Sequence, residues 1–315
     1  MKSPLVAISL LCCFLLTACM PDPVYKAVED LVFEDTVLRD CIVREARKEG
    51  WADAGHVLKL HCAHPADQKI SSLSGIGQLV NLRELYLAHN EIADISPLTE
   101  LRKLEHMDLD ENRITEVPEG LSHISLKHVS LNHNAITDLS QIGQLKYLES
   151  LSLAANGIDD ISALAGLTTL RVLSLSHNDL DEIDALGALE NLQELDLGKN
   201  RIEDIGVLEQ LQLLEHLHLG GNQIRDVSPV SSLIELRELD LSDNELANIQ
   251  PLRRLEAIWR LNLDQNPIED ISPLFGIGEL ELVSLNGVTN ISCAAIDQLT
   301  AELGEDAVVW YGECR

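Results

Sequence analysis

Residues 82–103 read LRELYLAHNEIADISPLTELRK, and this phrase decides the fold because the chain repeats it every 22 residues. Asn90 closes the motif Leu-x-x-Leu-x-Leu-x-x-Asn, and an asparagine recurs at the same point of every later copy. The nine asparagines lie at positions 90, 112, 134, 156, 178, 200, 222, 244 and 266. Repetition at one short period predicts a solenoid, in which each repeat forms a coil that packs on its neighbours.

The apolar residues of the phrase predict which side of each coil faces the core. Leu85 and Leu87 alternate with Glu84, Tyr86 and Ala88, which indicates a short strand with the leucines inward and the other three residues outward. A buried asparagine at the end of such a strand needs backbone partners for its amide. We therefore expect the repeated asparagines to hold turns and neighbouring coils together, and not to form a functional site.

The stretch from Leu85 to Leu98 resembles the 22-residue leucine-rich repeats of bacterial internalins and related surface proteins. Similar copies cover residues 82–279 densely, after a worn copy at 60–81 and before a partial copy at 280–292. The resemblance implies an α/β fold, a right-handed leucine-rich repeat solenoid. It also implies a concave parallel β-sheet and short helical or 3₁₀ segments on the convex side.

Serine–proline pairs predict where some convex segments begin. Serine is a favourable N-cap residue and proline fits the first helical position, so we expect helical starts at Ser96-Pro97, Ser228-Pro229 and Ser272-Pro273. The segment from Val117 to Leu121 lacks this form and is expected to be irregular.

The first twenty residues predict the subcellular localisation. Lys2 precedes an apolar run, Leu5–Leu16, that is too short to span a membrane comfortably and ends in Leu16-Thr17-Ala18-Cys19. This ending resembles the lipobox of bacterial lipoproteins, which implies cleavage before Cys19 and acylation of that cysteine. Residues 1–18 are then a lipoprotein signal peptide, residues 19–32 a lipidated tether, and the protein is lipid-anchored to a membrane of the bacterial cell envelope. Met20, in place of an aspartate, favours the outer membrane and leaves the periplasmic and surface faces open.

Four of the seven cysteines lie outside the leader and the lipidation site: Cys41, Cys62, Cys293 and Cys314. Four cysteines allow three pairings. The ends of the solenoid are too far apart for a bridge between them, so we expect the pairs Cys41–Cys62 and Cys293–Cys314. Each disulfide closes a cap over an apolar end of the solenoid. The expected boundaries are 33–62 for the N-terminal helical cap, 63–288 for the repeats and 289–315 for the C-terminal cap.

Both caps carry helix signals. Asp35 is a good N-cap and Gly50 a good stop, which predicts a helix from Thr36 to Glu49. At the other end Ser292 begins a helix that Gly304 ends, and residues 308–311 are expected to add a last strand.

The chain is strongly acidic, with 52 Asp and Glu against 23 Lys and Arg and a formal net charge of −29. Repulsion from the phosphate backbone excludes nucleic acid as a partner. Part of the acidity belongs to one repeat position, which holds Asp94, Glu116, Asp138, Asp160, Glu182, Asp204, Asp226 and Asp270. We interpret this column as a solvated ridge that keeps the protein soluble, with calcium or a basic partner as the alternatives.

The variable outward positions of the strands predict the binding surface. They are small and plain in the middle repeats, where serine, alanine and valine dominate, but chemically varied on both sides. The candidate contact residues are Tyr86, His106, Asp108, His128, Asp196, His216, His218, Asp240, Trp259 and Arg260. Tyr86 and Trp259, with Arg260 beside the latter, are expected to be the main anchors because such residues dominate interface energetics.

Motifs for catalysis are absent from the sequence: there is no Gly-x-Ser-x-Gly, no His-Glu-x-x-His and no phosphate-binding loop. We therefore expect a non-catalytic protein, without a cofactor, that binds a protein partner of unknown identity on its concave face. One alternative is a zinc- or calcium-binding accessory protein of the envelope, since His216 and His218 share a strand face with Asp196 and Asp240 on the neighbouring strands. A second alternative is a purely structural spacer.

Overall fold

The structure is a computed structural model that describes residues 25–62, 68–289 and 291–312. Across these residues twelve short strands form one sheet, and each strand pairs in parallel with the next one along the chain. The strands are β1 (Lys59–His61), β2 (Glu84–Tyr86), β3 (His106–Asp108), β4 (His128–Ser130), β5 (Ser150–Ser152), β6 (Val172–Ser174), β7 (Glu194–Asp196), β8 (His216–His218), β9 (Glu238–Asp240), β10 (Arg260–Asn262), β11 (Leu282–Ser284) and β12 (Val308–Val309). This ladder confirms the predicted solenoid.

A 3₁₀ segment lies on the other side of nearly every coil and packs on the segments of adjacent coils. These segments are Val28–Asp30, Ala54–His56, Ile76–Gln78, Ser96–Glu100, Glu119–His123, Ile142–Gln144, Ser162–Gly166, Asp184–Ala188, Gly206–Gln210, Ser228–Ser232, Gln250–Arg254 and Ser272–Leu274. The expectation of an irregular segment after Val117 is wrong. Pro118 stays extended there and the 3₁₀ segment begins one residue later.

The core lies between the strands and the 3₁₀ segments. The central residue of every strand from β1 to β11 is at most 3% exposed, whereas the first and third residues point out of the sheet. This confirms the inward and outward assignment of Leu85, Glu84 and Tyr86. Ala88 is an exception, because it follows β2 and is buried at 9% exposure.

The repeated asparagines join the coils, as the sequence predicts. In the middle of the solenoid, Asn178 is 8% exposed and its amide reaches six backbone groups. Its Nδ2 donates to the carbonyl oxygens of Leu153, Leu175 and Ser176 at 3.0, 2.9 and 3.3 Å. Its Oδ1 accepts from the N–H groups of Asn156, Gly157 and Ile158 at 3.1, 2.9 and 2.9 Å. These asparagines are therefore part of the scaffold.

The residue before each asparagine adopts the left-handed backbone conformation. The φ angles are 53–60° at His89, Glu111, His133, Ala155, His177, Lys199, Asp243 and Gln265, and Gly221 and Gly287 fill the same column at 72° and 76°. No β-branched residue, for which this conformation is most strained, occurs in the column. Hydrogen bonds between coils fix the turn, as in His89, whose N–H donates to the carbonyl of Asp110 at 2.8 Å.

The acidic column has a structural role that the solvated-ridge interpretation missed. Asp94 Oδ1 accepts the N–H of Ser96 at 2.8 Å, so the carboxylate caps the 3₁₀ segment and the serine is its first residue, not its N-cap. The same contact, over 2.7–2.9 Å, is made by Asp160, Asp204, Asp226 and Asp270, and Asp138 makes it to Ser140, two residues before its 3₁₀ segment. Hydrogen bonds from Ser96 lower the pKa of Asp94.

The N-terminal cap is built on helix α1, Thr36–Glu49, whose predicted ends at Asp35 and Gly50 are confirmed. Asp35 Oδ1 accepts from Val37 and Leu38 at 2.8 and 3.0 Å, and its Oδ2 accepts from the N–H of Ser71 at 2.8 Å. Burial raises the pKa of Asp35, but the backbone hydrogen bonds outweigh it and leave the pKa lowered. One carboxylate thus ties the cap to the first coil.

The cap begins earlier than residue 33. Val28 and Leu31 are 4% and 3% exposed, and Ala27 forms a bridge with Asp53. Asn81 Nδ2 donates to the hydroxyl of Tyr25 at 3.3 Å. Residues 25–31 therefore belong to the folded cap and not to the tether expected at 19–32.

The disulfide Cys41–Cys62 joins α1 to the end of β1, with Cα atoms 6.0 Å apart. At the other end, helix α2 spans Cys293–Leu303 between Ser292 and Gly304, as expected, but β12 is two residues long, shorter than predicted. Cys293 is also disulfide-bonded. Its expected partner Cys314, the lipidation site Cys19 and the signal peptide lie outside the described residues. None of the helices in the described ranges is long and apolar enough to cross a membrane.

Candidate functional site

The outward side chains of the strands form a continuous surface, which we call the sheet face: the first and third residues of each strand. The register places equivalent positions side by side. The first column runs Glu84, His106, His128, Ser150, Val172, Glu194, His216, Glu238 and Arg260. The third-position column runs Tyr86, Asp108, Ser130, Ser152, Ser174, Asp196, His218, Asp240 and Asn262.

Tyr86 lies in a group of contacts at the N-terminal end of the sheet face. Its hydroxyl donates to Glu84 Oε2 at 3.1 Å, and Lys59 Nζ stands 4.7 Å from its ring centroid. The ring of His61, from the same neighbouring strand as Lys59, stacks on the Tyr86 ring with the centroids 5.7 Å apart. Lys59 Nζ also lies 2.8 Å from Glu84 Oε2, and this pairing lowers the pKa of Glu84. The tyrosine is therefore pre-positioned before any partner arrives.

Lys59 and His61 contact Glu84 and Tyr86 and are candidate site residues that sequence reasoning missed. They occupy the worn first repeat, where the leucine pattern is weak. A sequence signal was nevertheless present, because Lys59 and His61 flank Leu60 in the same alternating pattern in which Glu84 and Tyr86 flank Leu85.

His106 and His128 stack face to face, with ring centroids 4.4 Å apart and 12° between the planes. Burial and the neighbouring His106 lower the pKa of His128, because a second positive charge at this distance is unfavourable. With Tyr86 and Asp108 the two rings line a shallow hollow of about 240 Å³. Burial raises the pKa of Asp108, and nearby Asp110 adds to the rise, while a backbone hydrogen bond from Asp110 opposes it. We call Lys59, His61, Glu84, Tyr86, His106, Asp108 and His128 the N-terminal cluster.

The middle of the sheet face is flat and carries small side chains. Ser130, Ser150, Ser152 and Ser174 lie here with Val172, and all are half-buried. A partner can approach the backbone more closely over this serine strip than over the clusters on either side.

The C-terminal cluster comprises Glu194, Asp196, His216, His218, Glu238 and Asp240. His216 Nδ1 lies 3.8 Å from Glu238 Oε2. Asp196 accepts from the hydroxyl of Ser174 at 3.2 Å and from the N–H of Gly198 at 3.0 Å. Asp196, His218 and Asp240 line a second open hollow of about 330 Å³. The cluster is acidic, and hydrogen bonds to neighbouring residues of the solenoid fix some of its side chains.

The zinc arrangement considered as an alternative around His216 and His218 is not formed among the described residues. Within residues 25–62, 68–289 and 291–312 no three His, Cys, Asp or Glu side chains come together in a way that could hold a metal ion. The carboxylates that the hypothesis needs already accept hydrogen bonds, since Asp240 Oδ1 takes the N–H of Ser242 at 2.9 Å. The structure therefore provides no support for the metal-binding alternative.

Trp259 stands beside the sheet face and not on it. It precedes β10 and pairs through its backbone with Arg237 and Glu281, at 3.0 and 2.9 Å, so it occupies the column just before the strands. Its side chain is half-buried, whereas Arg260 is exposed at the first position of β10. Of the two expected anchors, Tyr86 thus lies on the sheet face and Trp259 at its border.

Models of known families match most of the repeat region. A two-copy leucine-rich repeat model matches residues 124–166, 168–210 and 212–254, and a second leucine-rich repeat model matches residues 80–136. No curated protein matches the chain by sequence.

Solved structures share the fold over 76–93% of this chain. An internalin of Listeria monocytogenes, inlF, is 27% identical with a TM-score of 0.76, and 93% of each chain is covered. The functional domain of InlJ from the same bacterium is 21% identical with a TM-score of 0.67, over 85% of this chain and 63% of that one. The plant peptide hormone receptor RGFR1, solved in complex with RGF2, is 20% identical with a TM-score of 0.58. The match covers 76% of this chain and 38% of the receptor chain. The last two identities show the fold alone.

Proposed function

The chain is a leucine-rich repeat protein, and from that premise we propose that it binds a protein partner on its sheet face without catalysing a reaction. The scaffold uses most other positions: leucines fill the core, asparagines join the coils and aspartates cap the 3₁₀ segments. The outward columns of the strands vary freely between repeats and lie side by side on one continuous face. This freedom is the observation that carries the proposal.

The size of the surface indicates a macromolecule. Eight strand spacings of about 4.8 Å separate β1 from β9, so the two clusters together span roughly 40 Å. The hollows on the face, about 240 and 330 Å³, are open and shallow. A small molecule would be poorly enclosed by either one. A protein that crosses the serine strip reaches both clusters at once.

We expect the double variant Tyr86→Ala and Trp259→Ala to bind the partner at least about tenfold more weakly, because buried aromatic anchors supply much of an interface's energy. Affinity is measured by calorimetry against the protein retained on immobilised wild-type chain. Tyr147→Ala is the matched control, since that tyrosine is 62% exposed and lies outside the sheet face. Equal affinities for the wild type and the double variant would remove both aromatics from the interface.

We also propose that Cys19 carries the lipid anchor and that the solenoid is held on the outer membrane. The support is the sequence Leu16-Thr17-Ala18-Cys19 after an apolar run. Two or three acyl chains, each buried methylene contributing about 0.8 kcal/mol, give essentially permanent attachment. Cys19→Ser should move the protein from the membrane fraction to the soluble fraction. If the variant stays membrane-bound after a carbonate wash, the anchor lies elsewhere.

A further inference from the structure

One hollow lies on the 3₁₀ side of the solenoid, away from the sheet face. It has a volume of about 660 Å³ and opens between the segments Ser228–Ser232 and Gln250–Arg254. Arg253, Arg254 and Gln250 line it, with Ser231 contributed by the preceding coil. Its lining is rich in hydrogen-bond donors, which is unusual for a chain with a net charge of −29.

Both arginines are exposed, and neither forms an ion pair with any residue that the structure describes. Arg260 is likewise exposed and outside the ion pairs of the described residues, whereas two arginines of the preceding coil are paired. Arg225 pairs with Glu245 at 2.8 Å, and Arg237 pairs with Glu215 at 3.3 Å. The two guanidinium groups at the hollow therefore keep their donors for another acceptor.

In the coil that contains Gln250–Arg254, the position of the acidic column holds an uncharged residue. Asn248 stands where the other coils from Asp94 to Asp270 carry aspartate or glutamate. Asn248 Oδ1 still accepts the N–H of Gln250 at 3.0 Å, so the cap is kept while the carboxylate is removed. The neighbouring hollow, about 350 Å³, has Glu203, Asp204 and Asp226 in its lining. The change to asparagine thus makes one hollow electropositive among acidic ones.

We propose that this hollow binds an oxyanion, a phosphate or sulfate ester group carried by a small molecule. Guanidinium groups match the geometry of tetrahedral oxyanions and bind them through charge-assisted hydrogen bonds. The serine hydroxyl and the amide of Gln250 supply neutral donors beside them. Glu256 also lines the hollow and leaves an excess of one positive charge.

The size and surroundings favour a small ester over a large polyanion. The volume exceeds what a bare phosphate needs, but the hollow is as open as those on the sheet face, so it holds the charged group and leaves the rest of the ligand in solvent. An extended anionic polymer or membrane would approach the acidic column on adjacent coils, including Asp226, which is repulsive. The ligand is therefore a compact molecule that carries one such group.

The test titrates the full mature chain with glucose 1-phosphate, and separately with inorganic phosphate, by calorimetry at constant ionic strength. The wild type should bind, and Arg253→Gln/Arg254→Gln should weaken binding at least about tenfold. Asn248→Asp should also weaken it, about fivefold, while leaving the fold intact because aspartate caps the same turn in other coils.

Arg225→Gln is the matched control, since that arginine is already paired and lines the neighbouring hollow. Its affinity for glucose 1-phosphate should equal that of the wild type. No binding by the wild type would overturn the proposal, as would equal binding by the Arg253→Gln/Arg254→Gln variant. Retention on phosphatidylglycerol vesicles without binding of either soluble probe would overturn it in favour of a membrane headgroup.

Discussion

Replacing Asn178 with leucine should lower the free energy of unfolding by about 3–5 kcal/mol, the largest loss we expect from one substitution in the repeats. The amide serves six backbone groups in two turns, and the site is buried. Leucine can fill the volume but cannot pair these groups. A buried N–H or carbonyl left without a partner costs about 1–3 kcal/mol, and relaxation of the turns recovers part of the total.

Asn191→Leu is the control for this substitution, because Asn191 is exposed and makes a single hydrogen bond, to the carbonyl of Thr168 at 2.8 Å. Its loss should stay within about 0.5 kcal/mol. Urea denaturation followed by circular dichroism measures both variants. Comparable losses for the two asparagines would show that the asparagine column does not hold the coils together.

Removing the disulfide Cys41–Cys62 should cost about 3 kcal/mol. The bridge closes a loop of 21 residues between α1 and β1, and a loop of that length is expected to contribute about this much by restricting the unfolded chain. Both sulfurs lie in the core, at 2% exposure, so the double variant Cys41→Ala/Cys62→Ala also loses a little packing. The uncovered end of the first coil should then fray before the rest of the solenoid.

Reduction provides the control for the disulfide variant, since Cys293 is disulfide-bonded as well. Dithiothreitol should lower the free energy of unfolding of the wild type by the contributions of both disulfides. It should lower that of the double variant by the contribution of the remaining disulfide alone. The difference between these two losses isolates the contribution of Cys41–Cys62. A zero difference would mean that the N-terminal bridge does not stabilise the cap.

Periodicity made most of the fold predictable. A 22-residue repeat determines which residues face inward, and α1 could be delimited because Asp35 and Gly50 are local signals. The capping aspartates were misread for a geometric reason. A 3₁₀ turn starting at Ser96 is capped by the residue two positions earlier, whereas the sequence argument applied the α-helical rule to the serine itself.

Long-range contacts in the cap could not be read from the sequence. Tyr25 packs against a coil whose Asn81 lies 56 residues away, so nothing local separates folded residues 25–31 from a tether. The sequence predicted which residues of the candidate site occupy equivalent positions on the strands. It did not predict which of these side chains contact one another. Register alone placed His106 beside His128, while their stacking, and the position of Trp259 beside the sheet face, depend on how the coils turn.

The central claim, that the sheet face holds the protein partner, is tested most directly by carboxyl footprinting. Free and partner-bound chains are labelled with glycine ethyl ester and compared by mass spectrometry. Partner binding should protect the carboxylates of the sheet face, Glu84, Asp108, Asp196, Glu238 and Asp240, and leave the capping aspartates Asp94, Asp138, Asp160 and Asp204 as reactive as before. Protection of the capping aspartates with unchanged labelling of the sheet face would contradict the account.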